Sequence, residues 1–244
     1  MATLVLHALA PSHPVAAVVA ALELKGLDYE RVELPLDGTH PETIEQLYGP
    51  GNRTVPGLLI DDEPVHGSTA IMWRLEQLAP DAHKLYPEPI ARQVREAELW
   101  ADRELQPLGR GLPWGALHFR PEQLGLLAGA GPLDPAGTDF AIRMIRAAWR
   151  HHVIDCTRIA AELAALPGLL GQIDELIADG ICGSGHVNAA DLQIGATLAV
   201  LLAVGDVRGW IEPRPCARLA QLLPPRPGTI PAGALPANWM PAAN

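Results

Sequence analysis

The hydrophobic positions in the first 80 residues change repeatedly between a strand-like and a helix-like pattern. Four short apolar or alternating runs predict strands, and they lie at residues 3–8, 29–34, 57–60 and 64–66. Helical spacing of apolar residues is found at residues 15–24, 42–47 and 68–78. The first of these helices is apolar on nearly every face, so we expect it to be buried on most sides. This order of elements predicts an α/β domain over residues 1–80.

From residue 90 onward the strand pattern disappears. The proline-rich residues 80–89 predict a linker. Helices are then expected at residues 92–106, 139–166, 172–179, 189–204 and 215–223. Glycine and proline are frequent between residues 109 and 137, which leaves the helix ends there open. We therefore predict an all-helical domain over residues 90–223, followed by a proline-rich loop over residues 224–244.

The composition is that of an ordered protein, because 48% of the 244 residues are hydrophobic and 19% are charged. The net charge of -10 and the lack of a basic stripe argue against a nucleic-acid partner. The most apolar later run, residues 192–204, is shorter than a membrane span, and no charged leader precedes the first strand. Cys156, Cys182 and Cys216 are odd in number and widely spaced, so no disulfide framework is expected. We expect a cytoplasmic protein that binds neither nucleic acid nor membrane.

A proline stands directly before the third predicted strand, in Thr54-Val55-Pro56. Pro56 has no N–H to donate to a sheet, so this position needs a special turn, often with a cis bond. A cis bond would direct the N–H and C=O of Val55 outward, where they can pair with an extended peptide. An ordinary proline at the start of a strand is the alternative.

Ser68 and Thr69 open the next helix. Their backbone N–H groups, the Ser68 hydroxyl and the helix dipole suit a carboxylate. A simple helix cap is the alternative, since Ser and Thr cap many helices. The proline turn and this helix start, at their spacing and in this order of elements, are more specific together than either is alone.

These two features resemble the N-terminal domain of cytosolic glutathione S-transferases. The resemblance implies a thioredoxin-like first domain, a helical-bundle second domain and glutathione as co-substrate. It implies that Val55 pairs with the cysteine of glutathione and that Ser68 binds the γ-glutamyl carboxylate. The family usually has Glu, Asp or Gln where this chain has Gly67, and that side chain helps to hold the γ-glutamyl amine. The residues assigned to glutathione binding are Arg53, Thr54, Val55, Pro56, Ser68 and Thr69.

The catalytic group is expected at the first strand–helix turn, where Pro11-Ser12-His13-Pro14 resembles the motif of the Ser-type, theta-like members. A hydroxyl at a helix start can donate to a bound thiolate and stabilise it together with the helix dipole. We assign Ser12 as this thiolate-stabilising group. The alternative is that Ser12 only caps the helix and has no catalytic role. His13 is the alternative donor, because the dipole keeps its imidazole neutral. No cysteine precedes Cys156, which argues against disulfide exchange at this turn.

Three further groups carry weaker signals. Asn188 and Asp191 have the spacing of a capping box, to which we give a folding role. His151 and His152 point about 100° apart on a helix, so they cannot both join Asp155 on one face, and no metal is expected. The resemblance places the electrophile pocket near four residues for which core or dimer packing is the alternative. They are Trp100, Arg103, Trp114 and Phe119.

The resemblance implies a transferase in which the glutathione thiolate attacks a small hydrophobic electrophile. It also implies a homodimer, with helices near residues 68–79 and 92–106 at the interface. Two other functions stay open. One is a non-catalytic binding or scaffold protein on the same fold, and the other is isomerisation, dehalogenation or peroxide reduction at the same site. A low-molecular-weight thiol other than glutathione is also an open alternative.

Overall fold

The computed structural model describes residues 2–36 and 38–240, so the last four residues of the predicted proline-rich tail lie outside the described residues. The first part of the chain contains a four-stranded sheet in the order β2-β1-β3-β4. Strand β1 is parallel to β2 and antiparallel to β3, which pairs antiparallel with β4. The strands are β1 (Leu4–Ala8), β2 (Glu30–Glu33), β3 (Gly57–Ile60) and β4 (Glu63–His66).

Three helices cover this sheet, and they are α1 (His13–Leu24), α2 (His40–Tyr48) and α3 (Ser68–Leu78). The residues of α1 and α3 share one core with Leu4, Leu6 and Leu58 on one face of the sheet. Helix α2 packs on the other face through Ile44 and Tyr48, against residues that include Leu59. The period-2 alternation of the strands therefore supplies an apolar side chain to each face.

The second part of the described chain is helical. The helices are α4 (Ala91–Trp100), α5 (Leu108–Phe119), α6 (Leu124–Leu127), α7 (Pro135–His151), α8 (Cys156–Ala178), α9 (Ala189–Leu201) and α10 (Gly205–Ile211). A π-helical turn at Ala101–Leu105 joins α4 to α5, and 3₁₀ turns occupy Pro121–Gln123, Pro215–Leu222 and Ala237–Trp239. Helix α9 is buried along nearly its whole length. It packs on α1, α4 and α5, so it links the two halves of the fold.

Two helix predictions in this half are wrong. Residues 139–166 are not one helix, because α7 ends at His151 and α8 begins at Cys156. Val153 has a φ of 51° at the break, and the Asp155 carboxylate accepts the Arg158 N–H at 2.7 Å as the cap of α8. Residues 172–179 are not a separate helix either. They continue α8 through Pro167, because the helix keeps a buried apolar face on both sides of that proline.

The other helix boundaries differ less from those predicted. The predicted helix over residues 189–204 ends at Leu201, and α10 begins four residues later. The glycine- and proline-rich stretch 109–137 contains most of α5, with Pro113 inside it.

Residues 225–240 follow a mostly irregular path, and part of this segment is buried. Ile230 is fully buried and forms a bridge with Val204. The Asp206 carboxylate accepts the N–H groups of three consecutive residues, 233–235. A carboxylate on α10 therefore holds this segment against the helical half.

Glu98 on α4 is a buried acid, and we expect it to make stability depend on pH. Its Oε2 accepts hydrogen bonds from Tyr86 and Arg95, each at 2.7 Å. Its Oε1 is buried without a hydrogen-bond partner among the described residues. Burial is the main cause that raises the pKa of Glu98 to about 7. The folded state then holds a proton that the unfolded state releases near pH 4.5, so this contribution to stability declines between about pH 4.5 and pH 7.

The variant Glu98→Gln is expected to remove that decline, because a glutamine resembles the protonated acid. Between pH 5 and pH 8, the free energy of unfolding of Glu98→Gln should therefore rise relative to that of the wild type. Urea unfolding at the two pH values measures it. A difference that stays constant with pH would show that Glu98 does not titrate in this range.

Candidate functional site

A cavity of about 350 Å³ lies between the first domain and the helical half. This volume falls in the range typical of small-molecule sites. The first domain contributes Pro14, Thr54, Val55, Pro56, Gly67 and Ser68. The helical half contributes Asp102, Gln106, Arg110, His152 and Arg158. One wall therefore consists of small and backbone-exposing residues, and the other consists entirely of polar or charged side chains.

The turn before β3 presents backbone groups to this cavity. The predicted cis bond between Val55 and Pro56 is present. The Pro56 C=O accepts the Gly67 N–H at 3.0 Å, and the His66 ring hydrogen-bonds the Thr54 C=O at 2.7 Å. Neither the N–H nor the C=O of Val55 has a hydrogen-bond partner within residues 2–36 and 38–240. The turn is therefore held by the residues around Val55, and the backbone of Val55 itself stays unpaired.

Ser68 is the first residue of α3 and lies in the cavity wall. It is only 3% exposed, and its hydroxyl has no hydrogen-bond partner in the described parts of the chain. The cap position belongs to Gly67, with a φ of 89° and no side-chain cap, so the Ser68 hydroxyl does not serve as the helix cap. A buried hydroxyl without a partner is costly, and a ligand in the cavity would satisfy it.

Gly67 adopts a backbone conformation that side chains disfavour. Its φ of 89° lies in the left-handed region, which glycine occupies without the strain that a Cβ imposes. A Cβ placed there would meet no atom within 4 Å. The backbone, rather than a lack of space, therefore favours glycine over the acidic residue that the resemblance implies.

Arg53 and Thr69, also assigned to the ligand, do not line the cavity. The Arg53 guanidinium hydrogen-bonds the Glu42 and Glu45 carboxylates of α2, each at 2.5 Å. The Thr69 C=O accepts a hydrogen bond from Arg95 at 3.0 Å, which joins the start of α3 to α4. Both residues brace the elements around the site in this structure.

The two catalytic assignments lie beside the cavity, and neither is among the residues that line it. Ser12 caps α1, with its Oγ 3.4 Å from the Val15 N–H that it accepts. His13 is 4% exposed, and a Cβ on Gly109 would lie 2.9 Å from its ring. Burial holds the pKa of His13 well below its usual value, so the ring is neutral. Its Nε2 has no hydrogen-bond partner among the described residues.

A ladder of polar side chains forms the helical wall, and the sequence analysis did not identify it. Gln106 donates to Asp102 at 2.6 Å, and Arg110 donates to Gln106 at 2.6 Å. The three residues are spaced by four, so they share one face of the π turn and α5. This spacing is visible in the sequence, but only the packing of α5 shows that the face is turned to the cavity. None of the aromatic residues expected at the electrophile pocket, nor Arg103, lines it.

The ends of α7 and α8 complete this wall. Arg158 donates to Glu162 at 2.8 Å and also to the C=O groups of His152 and Val153. Burial is the main cause that lowers the pKa of His152 to about 3, so its imidazole is neutral. The fixed positive charges of the wall are therefore those of the arginines.

The capping box lies outside the cavity and is confirmed. The Asn188 Oδ1 accepts the Asp191 N–H at 3.1 Å, and the Asp191 Oδ2 accepts the Asn188 N–H at 3.0 Å. In the part of the chain that the structure describes, no group of three or more His, Cys, Asp or Glu side chains is placed to hold a metal ion. No helix there is both long and apolar enough to cross a membrane.

Comparison with known proteins supports the architecture. Residues 6–83 match the family model described as the N-terminal domain of glutathione S-transferase. No curated protein matches the chain. Among solved structures, the β-etherase LigF from Sphingobium sp. strain SYK-6 is 18% identical, with a TM-score of 0.60 over 91% of this chain and 88% of that one.

Two plant proteins give similar values. Glutathione transferase F7 from Populus trichocarpa is 16% identical, with a TM-score of 0.58 over 90% of this chain and 91% of that one. Rice GST1, solved with glutathione, is 19% identical, with a TM-score of 0.54 over 90% of this chain and 78% of that one. At these identities the comparison shows the fold, and it confirms the predicted thioredoxin-like domain followed by a helical domain. The solved structures belong to several classes, so the Ser-type, theta-like assignment stays a prediction.

Proposed function

We propose that the cavity binds glutathione and that the protein transfers its thiolate to an electrophile. The observation that carries this proposal is the buried, unpartnered hydroxyl of Ser68 beside the unpaired backbone of Val55. An extended tripeptide can add to the Val55 edge as a strand. Its γ-glutamyl carboxylate then accepts hydrogen bonds from the Ser68 hydroxyl and the N–H groups at the start of α3. The match of residues 6–83 to the glutathione S-transferase domain supports the same ligand.

Asp102 supplies the negative charge that Gly67 lacks. It lines the same cavity as Gly67 and Ser68. Its Oδ1 already accepts Gln106 at 2.6 Å and Gln193 at 3.3 Å, which orients the carboxylate. Burial raises the pKa of Asp102, and Arg110 opposes that rise. A bound ammonium would favour the ionised form further, so we assign the γ-glutamyl amine to Asp102.

The reaction proposed is nucleophilic substitution. The bound thiol releases its proton to solvent, and the thiolate sulfur forms a bond to an electrophilic carbon while the leaving group departs with its electron pair. The Ser12 hydroxyl and the start of α1 stabilise the thiolate, and His13 is the second possible donor. Residues 1–80 then form the thiol-binding domain and residues 90–223 the electrophile-binding domain, with residues 224–244 as the tail. The resemblance extends this proposal to a cytoplasmic homodimer, packed through α3 and α4, that takes small hydrophobic electrophiles.

Replacing Ser68 with alanine is expected to weaken glutathione binding by about 10- to 100-fold, the value of a hydrogen bond to a charged group. Isothermal titration calorimetry with reduced glutathione measures the change. Ser184→Ala is the matched control, because the Ser184 hydroxyl is exposed and bonds within its own turn. An unchanged affinity in Ser68→Ala would remove Ser68 from the site. No binding to the wild type at millimolar glutathione would refute the glutathione assignment itself.

A further inference from the structure

The helical wall of the cavity differs from an apolar pocket for hydrophobic electrophiles. All five side chains that it contributes are polar or charged, and they are Asp102, Gln106, Arg110, His152 and Arg158. We propose that the second substrate carries a carboxylate and that Arg110 binds it. This inference rests on the proposed function and narrows its substrate class from small hydrophobic molecules to small organic acids with an electrophilic carbon.

Arg110 is the arginine of this wall that forms no ion pair among the described residues. Among the described residues its side chain donates one hydrogen bond, to the Gln106 amide oxygen at 2.6 Å, and no carboxylate oxygen lies within 4.0 Å of it. Arg158, in contrast, is paired with Glu162 at 2.8 Å. A guanidinium has five N–H donors, so most of those on Arg110 remain available. Asp102 and Glu162 act on Arg110 from a distance, but neither hydrogen-bonds it, so a bound carboxylate would be the first anion to pair directly with these donors.

The glutathione anchors leave Arg110 for the other substrate. The tripeptide is expected to run along the Val55 edge of the first domain, with its γ-glutamyl end at Ser68 and Asp102. Arg110 follows Asp102 by eight residues on the same helical face, and the Gln106 amide lies between the two side chains and hydrogen-bonds both. The turn of α5 that carries Arg110 packs on His13, because a Cβ on the neighbouring Gly109 would lie 2.9 Å from the His13 ring. Arg110 therefore faces the end of the cavity where the thiolate is expected to meet its electrophile.

A carboxylate suits this position better than a neutral polar group. A guanidinium can donate two parallel hydrogen bonds to one carboxylate, which fixes the orientation of the ligand as well as raising its affinity. The Gln106 amide oxygen accepts a hydrogen bond from Nη1 of Arg110, and this bond fixes the position of the guanidinium. A substrate bound in this way would present its electrophilic carbon to the thiolate at a constant distance.

The kinetic test compares two aryl chlorides of nearly equal shape, 4-chloro-3-nitrobenzoate and 4-chloro-3-nitrobenzamide. In each, the thiolate sulfur bonds to the ring carbon and chloride leaves with its electron pair. The variant Arg110→Met should lower kcat/KM for the acid by about 10- to 100-fold and should abolish the preference for the acid over the amide. Arg110→Lys should restore part of that preference. The control Arg103→Met removes an exposed arginine outside the cavity and should keep the preference.

A binding experiment separates this inference from the proposed function. Calorimetric titration with 3-nitrobenzoate and 3-nitrobenzamide, without glutathione, should give tighter binding of the acid to the wild type and equal binding of both to Arg110→Met. That result would support the acid subsite even if no conjugation were found. Equal binding of acid and amide to the wild type would overturn it. A higher KM for glutathione in Arg110→Met, with the acid preference retained, would also overturn it and assign Arg110 to the thiol substrate. Thermal unfolding checks that each variant is folded.

Discussion

Replacing Asp191 with alanine is expected to lower the free energy of unfolding by about 3 kcal/mol. Asp191 is 1% exposed, and its carboxylate accepts the Gly183 N–H at 2.7 Å and the Asn188 N–H at 3.0 Å. Alanine would leave both donors without a partner, at a cost of about 1–3 kcal/mol for each buried group. The capping box at the start of α9 would also lose one of its two bonds. Because α9 packs on both halves of the fold, the loss should affect the whole molecule.

Thermal and urea unfolding measure this effect. A loss of about 3 kcal/mol corresponds to a fall in Tm of roughly 9 °C for a chain of this size. Asp155→Ala is the matched control, because Asp155 is an exposed cap that accepts one N–H, that of Arg158. Its removal should cost about 1 kcal/mol. Equal losses in the two variants would show that burial does not add to the contribution of the Asp191 carboxylate to stability.

Replacing Gly195 with alanine is expected to destabilise the protein by about 3 kcal/mol, the upper part of the range for overpacking a core. Gly195 lies in the middle of α9, and a Cβ there would be 2.4 Å from the Leu219 C=O oxygen. That oxygen belongs to the backbone of the turn at Pro215–Leu222, so it cannot move aside as the end of a flexible side chain would. The added methyl group must therefore push this turn away from α9.

The opposite sign is expected for Gly168→Ala, which serves as the control. Gly168 also lies inside a helix, α8, but a Cβ there would meet no atom within 4 Å. Alanine should raise the free energy of unfolding by about 0.5–1 kcal/mol, because it reduces the backbone freedom of the unfolded chain. Chemical unfolding of the two variants and the wild type compares them directly. A higher free energy of unfolding in Gly195→Ala than in the wild type would show that α9 and the turn are not closely packed at Gly195.

The elements of the first domain were predicted closely, because local patterns decide them. Short apolar or alternating runs favour strands, and the apolar segment before Gly26 favours a helix, from local sequence alone. The features at Val55 and Ser68 were also predictable, since each follows from the chemistry of a few adjacent residues. In the structure, Ser68 is not a simple cap, because Gly67 occupies the cap position.

The helical domain was predicted less well, because its signals are weaker and longer in range. The break between α7 and α8 depends on the left-handed backbone of Val153 and on the Asp155 cap. No glycine or proline marks this break in the sequence. The continuation of α8 through Pro167 depends on apolar packing that outweighs the local effect of a proline.

Adjacent residues alone were enough to give the order of strands and helices in the first domain, the proline turn, the helix start at Ser68 and the capping box at α9. Which groups face one another across the cavity depended on how α5 and α8 pack against the first domain. Asp102, Gln106 and Arg110 have the spacing of an ordinary solvated helix face, and only the position of α5 turns that face toward Val55 and Ser68. Helical periodicity predicts which side chains share a face of a helix. Whether that face points to solvent or to the cavity is determined by contacts between residues far apart in the chain.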